Sequence, residues 1–243
     1  MEGGKKPYGI LFDLDGTLVQ SEDLYHRATE ALLAPLGRSL DEMTPEERSR
    51  IPGRSALENM QFYCRRFGLP DPPEVLVERR MDRVCRMVEE EGVMLIPGAR
   101  EILESCRIAD LRCAVASSSP ARYVRRVLRV TALAEFFDVV KTGDDVSRFK
   151  PDPEIFLAAA QDLGLPPARC LVVEDAHAGI LAGKAAGMRV LAVESEYTLP
   201  EQAALADRRI RDFCGMTSRD LVRMITEGIQ IEGARWPGSS RSE

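Results

Sequence analysis

The chain has 243 residues, 44% hydrophobic and 30% charged, with a formal net charge of −6. That size holds one α/β domain with an insertion, or two modest domains, and the composition excludes disorder of the whole chain. No uncharged apolar stretch approaches a membrane span, and no basic stripe interleaved with aromatics offers a surface for nucleic acid.

The first residues, MEGGKKPYGILFDLDG, carry two lysines, but their apolar run meets aspartates almost at once, so they do not read as a signal peptide. A cytoplasmic protein is expected. Tyr8–Phe12 is a short apolar run ending in acidic residues and glycine, which predicts a buried strand. From Val19 to about Gly92 the pattern becomes helical, with no convincing strand and with Gly37, Gly68 and Gly92 as helix stops. The α/β alternation resumes near Val93, where IPGAREILESC opens a helix behind proline. Arg112–Ala116, Val139–Lys141, Cys170–Val173 and Arg189–Val193 complete the predicted strands.

The expected fold is therefore α/β: a Rossmann-like parallel-sheet core with an inserted α-helical cap domain. Residues 1–18 and 93–228 form the discontinuous core, residues 19–92 the cap, and residues 229–243, including Trp236, a flexible tail. The cysteines Cys64, Cys85, Cys106, Cys113, Cys170 and Cys214 are scattered and lack clustered histidines, as reduced structural thiols would be.

Four predicted strands run into polar loops: DLDGT, SSSP, TGDDVSRFKP and EDAHAG. Ligands of open α/β sheets bind outside the carboxyl ends of the strands. Asp13 and Asp15 are separated by one residue, so both can address one point. Two close carboxylates repel, and a divalent cation such as Mg²⁺ relieves that repulsion. An aspartate can also serve as a nucleophile. Each residue also has a plainer reading. Asp13 and Asp15 could belong to a turn around Gly16, Ser117 could cap a helix, Lys150 could be solvated, and Glu174 and Asp175 could serve a helix N-terminus. Their joint occurrence at four strand ends favours the site.

Asp-x-Asp-Gly-Thr after a hydrophobic strand resembles the signature of the haloacid dehalogenase superfamily, and Ser117, Lys150 and the Glu174–Asp175 pair follow in that family's order. The segment EDAHAGILAGKAAGM is also similar to the family's pattern. The subgroup resembled is that of β-phosphoglucomutases and phosphoglycolate phosphatases with a helical cap. The resemblance implies a Mg²⁺-dependent phosphatase acting on a small phosphorylated metabolite. It implies Asp13 as nucleophile, Asp15 as acid and then base, and Lys150 as the neutralising cation. Asp13, the Asp15 backbone carbonyl and Asp175 would hold the metal, with Glu174 supporting it. Thr17, Ser117 and the Ser118 backbone N–H would bind phosphoryl oxygens.

Arg54, in the cap loop, reads either as a substrate contact or as a solvated arginine at a helix start. His26 lies one residue beyond the place of the mutase histidine, which Tyr25 takes, and His177 only follows the acidic pair. Gln20 and Phe149 depart from the common pattern without removing a catalytic group. A sugar-phosphate mutase is the alternative activity. A dehalogenase is disfavoured by Asp15, and an idle binding module by the complete set of expected groups. A self-capping enzyme needs no partner chain, so a monomer is expected.

Overall fold

The computed structural model describes residues 8–48, 51, 55–195, 198 and 200–227. In chain order they form β1 (Gly9–Phe12), β2 (Val19–Gln20), α1 (Glu22–Leu33), α2 (Pro45–Arg48), α3 (Ala56–Phe67), α4 (Pro73–Glu91) and β3 (Met94–Leu95). There follow α5 (Ala99–Ile108), β4 (Arg112–Ala116), α6 (Ala121–Val130), β5 (Val139–Lys141), α7 (Glu154–Asp162), β6 (Cys170–Glu174) and α8 (His177–Ala185). The last elements are β7 (Arg189–Val193), α9 (Pro200–Ala203), β8 (Arg208–Ile210) and α10 (Ser218–Thr226).

Six strands form a parallel sheet in the order β5-β4-β1-β6-β7-β8. The inner strands β1, β4, β6 and β7 read as largely apolar runs because both faces are covered. Ile10 and Phe12 of β1, with Val115 and Val173, pack on one face against Ile102 and Leu103 of α5, Tyr123 and Val127 of α6 and Leu221 of α10. Leu11, Ala114 and Val172 point the other way, onto Ile155 and Phe156 of α7 and Ile180 of α8. Neighbouring residues of a strand thus serve opposite layers.

The chain leaves β1 for a neighbour on one side, β4, and later returns to the other side as β6. Such a switch point opens a crevice at the strands' carboxyl ends.

The segment between β2 and β3 is helical, and it has an apolar cluster of its own built on Leu33, Leu40, Met60, Tyr63, Phe67 and Leu76. A reciprocal capping box between Ser55 and Glu58 starts α3, and Gly68 ends it with φ +74°. Helices α1 and α4 also reach the core, through Leu24 and Ala28 and through Val84 and Val88.

Three strands were not anticipated. β2 lies inside the stretch read as purely helical, and it pairs antiparallel with β3, Val19 opposite Leu95. Two residues per strand leave no periodicity to detect. The third, β8, holds two arginines in three residues at the sheet edge, where one side needs no apolar run. The expected tail and Trp236 lie outside the described residues, as does Arg54. No helix among the described residues is long and apolar enough to cross a membrane.

Candidate active site

The carboxyl end of β1 delivers Asp13, which is buried, and its backbone N–H donates to the Val173 carbonyl of β6 at 2.9 Å. Lys150 arrives from the loop between β5 and α7. Its Nζ donates to Asp13 Oδ1 at 2.5 Å, to Glu174 Oε1 at 2.8 Å and to the Ala116 carbonyl at 2.9 Å. All three ammonium protons are used by groups at the ends of β1, β6 and β4. The side chain is 6% exposed, which rules out the solvated reading. Burial pulls the Lys150 pKa down, but the charges of Asp13 and Glu174 and their hydrogen bonds more than offset it, so the net shift is upward.

Glu174 is buried, and its second oxygen accepts from the Ala176 N–H at 2.7 Å, at the start of α8. The helix-start reading is therefore part of the truth for Glu174. Gly179, in the first turns of α8, makes room for it: a Cβ there would stand 1.6 Å from Glu174 Oε1. Burial raises the Glu174 pKa, and Lys150 works against that rise.

Asp175 accepts from the Thr17 hydroxyl at 3.2 Å and is also buried. Burial, followed by the charges of Glu174, Asp13 and Glu22, pushes its pKa well above the ordinary carboxylate range. Gly16 (φ +75°) passes between two of these groups. A Cβ on it would stand 2.2 Å from Asp175 Oδ2 and 2.9 Å from Glu22 Oε1.

Asp15 faces a different set of groups. Ser21 and Tyr123 donate to Oδ1 at 2.6 and 2.5 Å, and Ser119 donates to Oδ2 at 2.8 Å. Burial and the Asp13 charge raise its pKa, while the three hydroxyls pull against them. Ser117 is buried, with its Oγ accepting from the Ser119 N–H at 3.1 Å, whereas Ser118 is exposed. Ser117 makes no side-chain cap for α6, whose cap position is Pro120.

The structure thus gathers Asp13, Asp15, Thr17, Ser117, Ser118, Lys150, Glu174 and Asp175 at neighbouring strand ends. It also adds residues that sequence reading missed. Glu22 is a fifth carboxylate of the cluster, and its pKa is raised by burial and by Asp15 and Asp13. An acidic residue in a first helical turn has a ready explanation in the helix dipole, and this hid it. Glu22 and Gly16 also line a neighbouring cavity of about 560 Å³, together with Gln20, Asp23, Arg27 and Glu194. Ser21, Ser119 and Tyr123 carried no motif. His26 is exposed, whereas the Tyr25 ring packs at 5.9 Å from that of Tyr123.

Among the described residues, no three His, Cys, Asp or Glu side chains already converge into a metal centre. The donor set is nevertheless all carboxylate and carbonyl oxygen, with one lysine for Asp13, Asp15, Glu22, Glu174 and Asp175. Unbalanced negative charge on hard oxygen donors fits a divalent cation of the magnesium type.

Residues 10–193 match the family model of the haloacid dehalogenase-like hydrolases. The chain belongs to that family. It is 31% identical to protein CbbY of Rhodobacter capsulatus over 84% of this chain and 92% of that protein. It is also 31% identical to hexitol phosphatase B of Escherichia coli K12, over 87% and 95% of the two chains. The crystal structure of CbbY from Rhodobacter sphaeroides in complex with phosphate superposes with a TM-score of 0.75 at 30% identity, covering 86% of this chain and 96% of that one. The reading of this chain as an enzyme of the superfamily's phosphatase branch holds at that level, and so does the Rossmann-like fold.

Proposed function

We propose that this member of the haloacid dehalogenase-like family is a Mg²⁺-dependent phosphatase that hydrolyses small phosphorylated metabolites through a phosphoaspartate on Asp13. The substrate class is a sugar phosphate or a phosphoglycolate-like compound. One observation carries the reading: the Asp13 carboxylate, at the end of the central strand, is bound by the buried Lys150, with Asp15 two residues on in a separate, hydroxyl-lined niche.

In the first step an Asp13 oxygen attacks phosphorus, the bond to the leaving oxygen breaks, and the Asp15 proton passes to that oxygen. In the second step water attacks the phosphoaspartate, Asp15 takes its proton, and orthophosphate leaves a regenerated Asp13. Two carboxylates with different surroundings suit these two roles. Lys150 neutralises charge on the phosphoryl oxygens, and Thr17, Ser117 and the Ser118 N–H offer donors to them. The residues to hold Mg²⁺ are Asp13, the Asp15 carbonyl and Asp175, with Glu174 behind them. When bound, the ion supplies charge neutralisation that lets an anionic substrate approach this acidic cluster. Arg54 remains the proposed substrate contact from the helical segment.

The names of two relatives support the substrate class: hexitol phosphatase B, and a phosphorylated carbohydrates phosphatase of Thermotoga maritima, which is 32% identical over 74% of this chain. The alternative reading, a sugar-phosphate mutase, has the support of the crystal structure of a putative β-phosphoglucomutase from Thermotoga maritima, 29% identical over 84% of this chain. The test is phosphate release from a panel of phosphorylated metabolites, with Mg²⁺ or with chelator, for wild type and Asp13→Asn. Release that requires both Mg²⁺ and Asp13 supports the proposal. Release that survives Asp13→Asn, or none from any substrate, contradicts it.

A further inference from the structure

Tyr123 belongs to no recognised motif, yet it is one of the largest fully buried side chains of the protein. It stands in the first turn of α6, directly after the Ser117–Ser119 loop, and its hydroxyl crosses to the loop after β1 to donate to Asp15 Oδ1 at 2.5 Å. Ser21, which precedes α1, donates to the same oxygen at 2.6 Å and makes no side-chain cap for that helix. Its hydroxyl therefore serves Asp15 rather than the helix. The Tyr123 ring is held by the core and by the Tyr25 ring, so its hydroxyl has a fixed aim.

The two carboxyl oxygens of Asp15 are consequently unequal. Oδ1 has two donors, which fill its lone pairs, whereas Oδ2 has one among the described residues, Ser119 at 2.8 Å. Oδ2 keeps a lone pair open and can take a proton without displacing a donor, which Oδ1 cannot.

We infer that Tyr123 is a positioning residue which, with Ser21, saturates Asp15 Oδ1 so that the proton exchanged with the leaving group and with water rides on Oδ2. This rests on the proposed acid–base role of Asp15 and deepens it. The Tyr123 hydroxyl lies against Asp15 itself. It acts by fixing which oxygen of Asp15 is the acid and where that oxygen points.

The test compares wild type with Tyr123→Phe on two probes with Mg²⁺ present: glycerol phosphate, whose alkoxide needs a proton to leave, and p-nitrophenyl phosphate, whose nitrophenolate does not. The expected result is a fall in kcat of about 10- to 100-fold on glycerol phosphate with KM little changed. Single-turnover release of nitrophenol should stay near the wild-type rate. Equal losses on both probes, a loss confined to KM, or no loss at all would overturn the inference. Ser21→Ala, which removes the other Oδ1 donor, should show the same split and decides the matter if Tyr123→Phe does not fold. Wild type that releases phosphate from neither probe nor any metabolite of the panel, or activity that survives Asp13→Asn, overturns the proposed function and this inference with it. Activity that needs Asp13 but ignores both hydroxyls overturns this inference alone.

Discussion

Lys150 and Glu174 form a buried ion pair at 2.8 Å, and the same ammonium holds Asp13 from its other side. The pair joins the loop after β5 to the end of β6, so it is both a structural cross-link and the centre of the site. Removing one partner from such a pair leaves an uncompensated buried charge, which costs more than the contact itself.

Lys150→Met is therefore expected to lose about 3–5 kcal/mol of stability, read as a lower denaturation midpoint. Phosphate release should fall by at least about 100-fold, because the charge on the phosphoryl oxygens loses its fixed counter-charge. Lys150→Arg should not restore activity, since a planar fork cannot meet three acceptors set for a compact ammonium. Full activity in either variant would contradict the assigned role.

Gly179 tests the position of Glu174. In Gly179→Ala the new methyl group would lie on Glu174 Oε1 and force the carboxylate out. The expected cost is about 1–3 kcal/mol, with most of the activity lost. Gly187→Ala is the control: its φ is +72°, but nothing stands within 4 Å. It should cost about 1 kcal/mol by backbone strain and leave kcat unchanged. Matching kinetics for the two variants would show that Glu174 tolerates displacement.

The carboxylate cluster predicts a stability that depends on pH and metal together. Folding raises the pKa of Asp175, Asp15 and Glu22, so the folded state holds protons that the unfolded chain releases. For these groups the stabilisation is fully present below the ordinary carboxylate pKa. It is lost as pH rises through the raised folded values. Metal-free protein should thus lose their contribution above about pH 4. Mg²⁺ should raise Tm more at about pH 8 than at about pH 5. A Mg²⁺ effect on Tm that is equal at both pH values, or absent, would count against a metal held by these residues.

Glu22→Gln separates the fifth carboxylate from the rest. Losing one negative charge beside Asp175 should raise the Tm of the metal-free protein and weaken Mg²⁺ binding several-fold, measured by titration calorimetry. Unchanged affinity and Tm would place Glu22 outside the cluster's electrostatics.

How far these features could be read in advance depended on what each residue had to do. β1, β4, β6 and β7 were visible because both faces are buried and their residues are accordingly apolar, and β5, a half-buried edge strand, through its two valines. β8 was not, since Arg208 and Arg209 reflect an edge position. Asp13, Lys150 and Glu174 stand at the ends of those legible strands in a familiar order, and the structure joins them through one ammonium. Glu22 and Tyr123 sit in helices whose local sequences already had adequate explanations, a first-turn acid and a buried aromatic on an arginine-rich helix. Only the three-dimensional approach of α1 and α6 to the end of β1 gives them a second role. His26 shows the converse: its residue type suggested chemistry, but the helical phase of α1 turns it to solvent and brings Tyr25 inward.

The most direct test of the account is chemical capture of the phosphoaspartate. Wild type and Asp15→Asn would be mixed with p-nitrophenyl phosphate and Mg²⁺, quenched in acid and treated with borohydride, which reduces an acyl phosphate to the alcohol. Peptide mass spectrometry then locates the product. The account predicts homoserine at position 13, only after exposure to substrate and more abundantly in Asp15→Asn, where the second step lacks its base. Reduction at another residue, or none while nitrophenol is being released, would contradict Asp13 as the nucleophile.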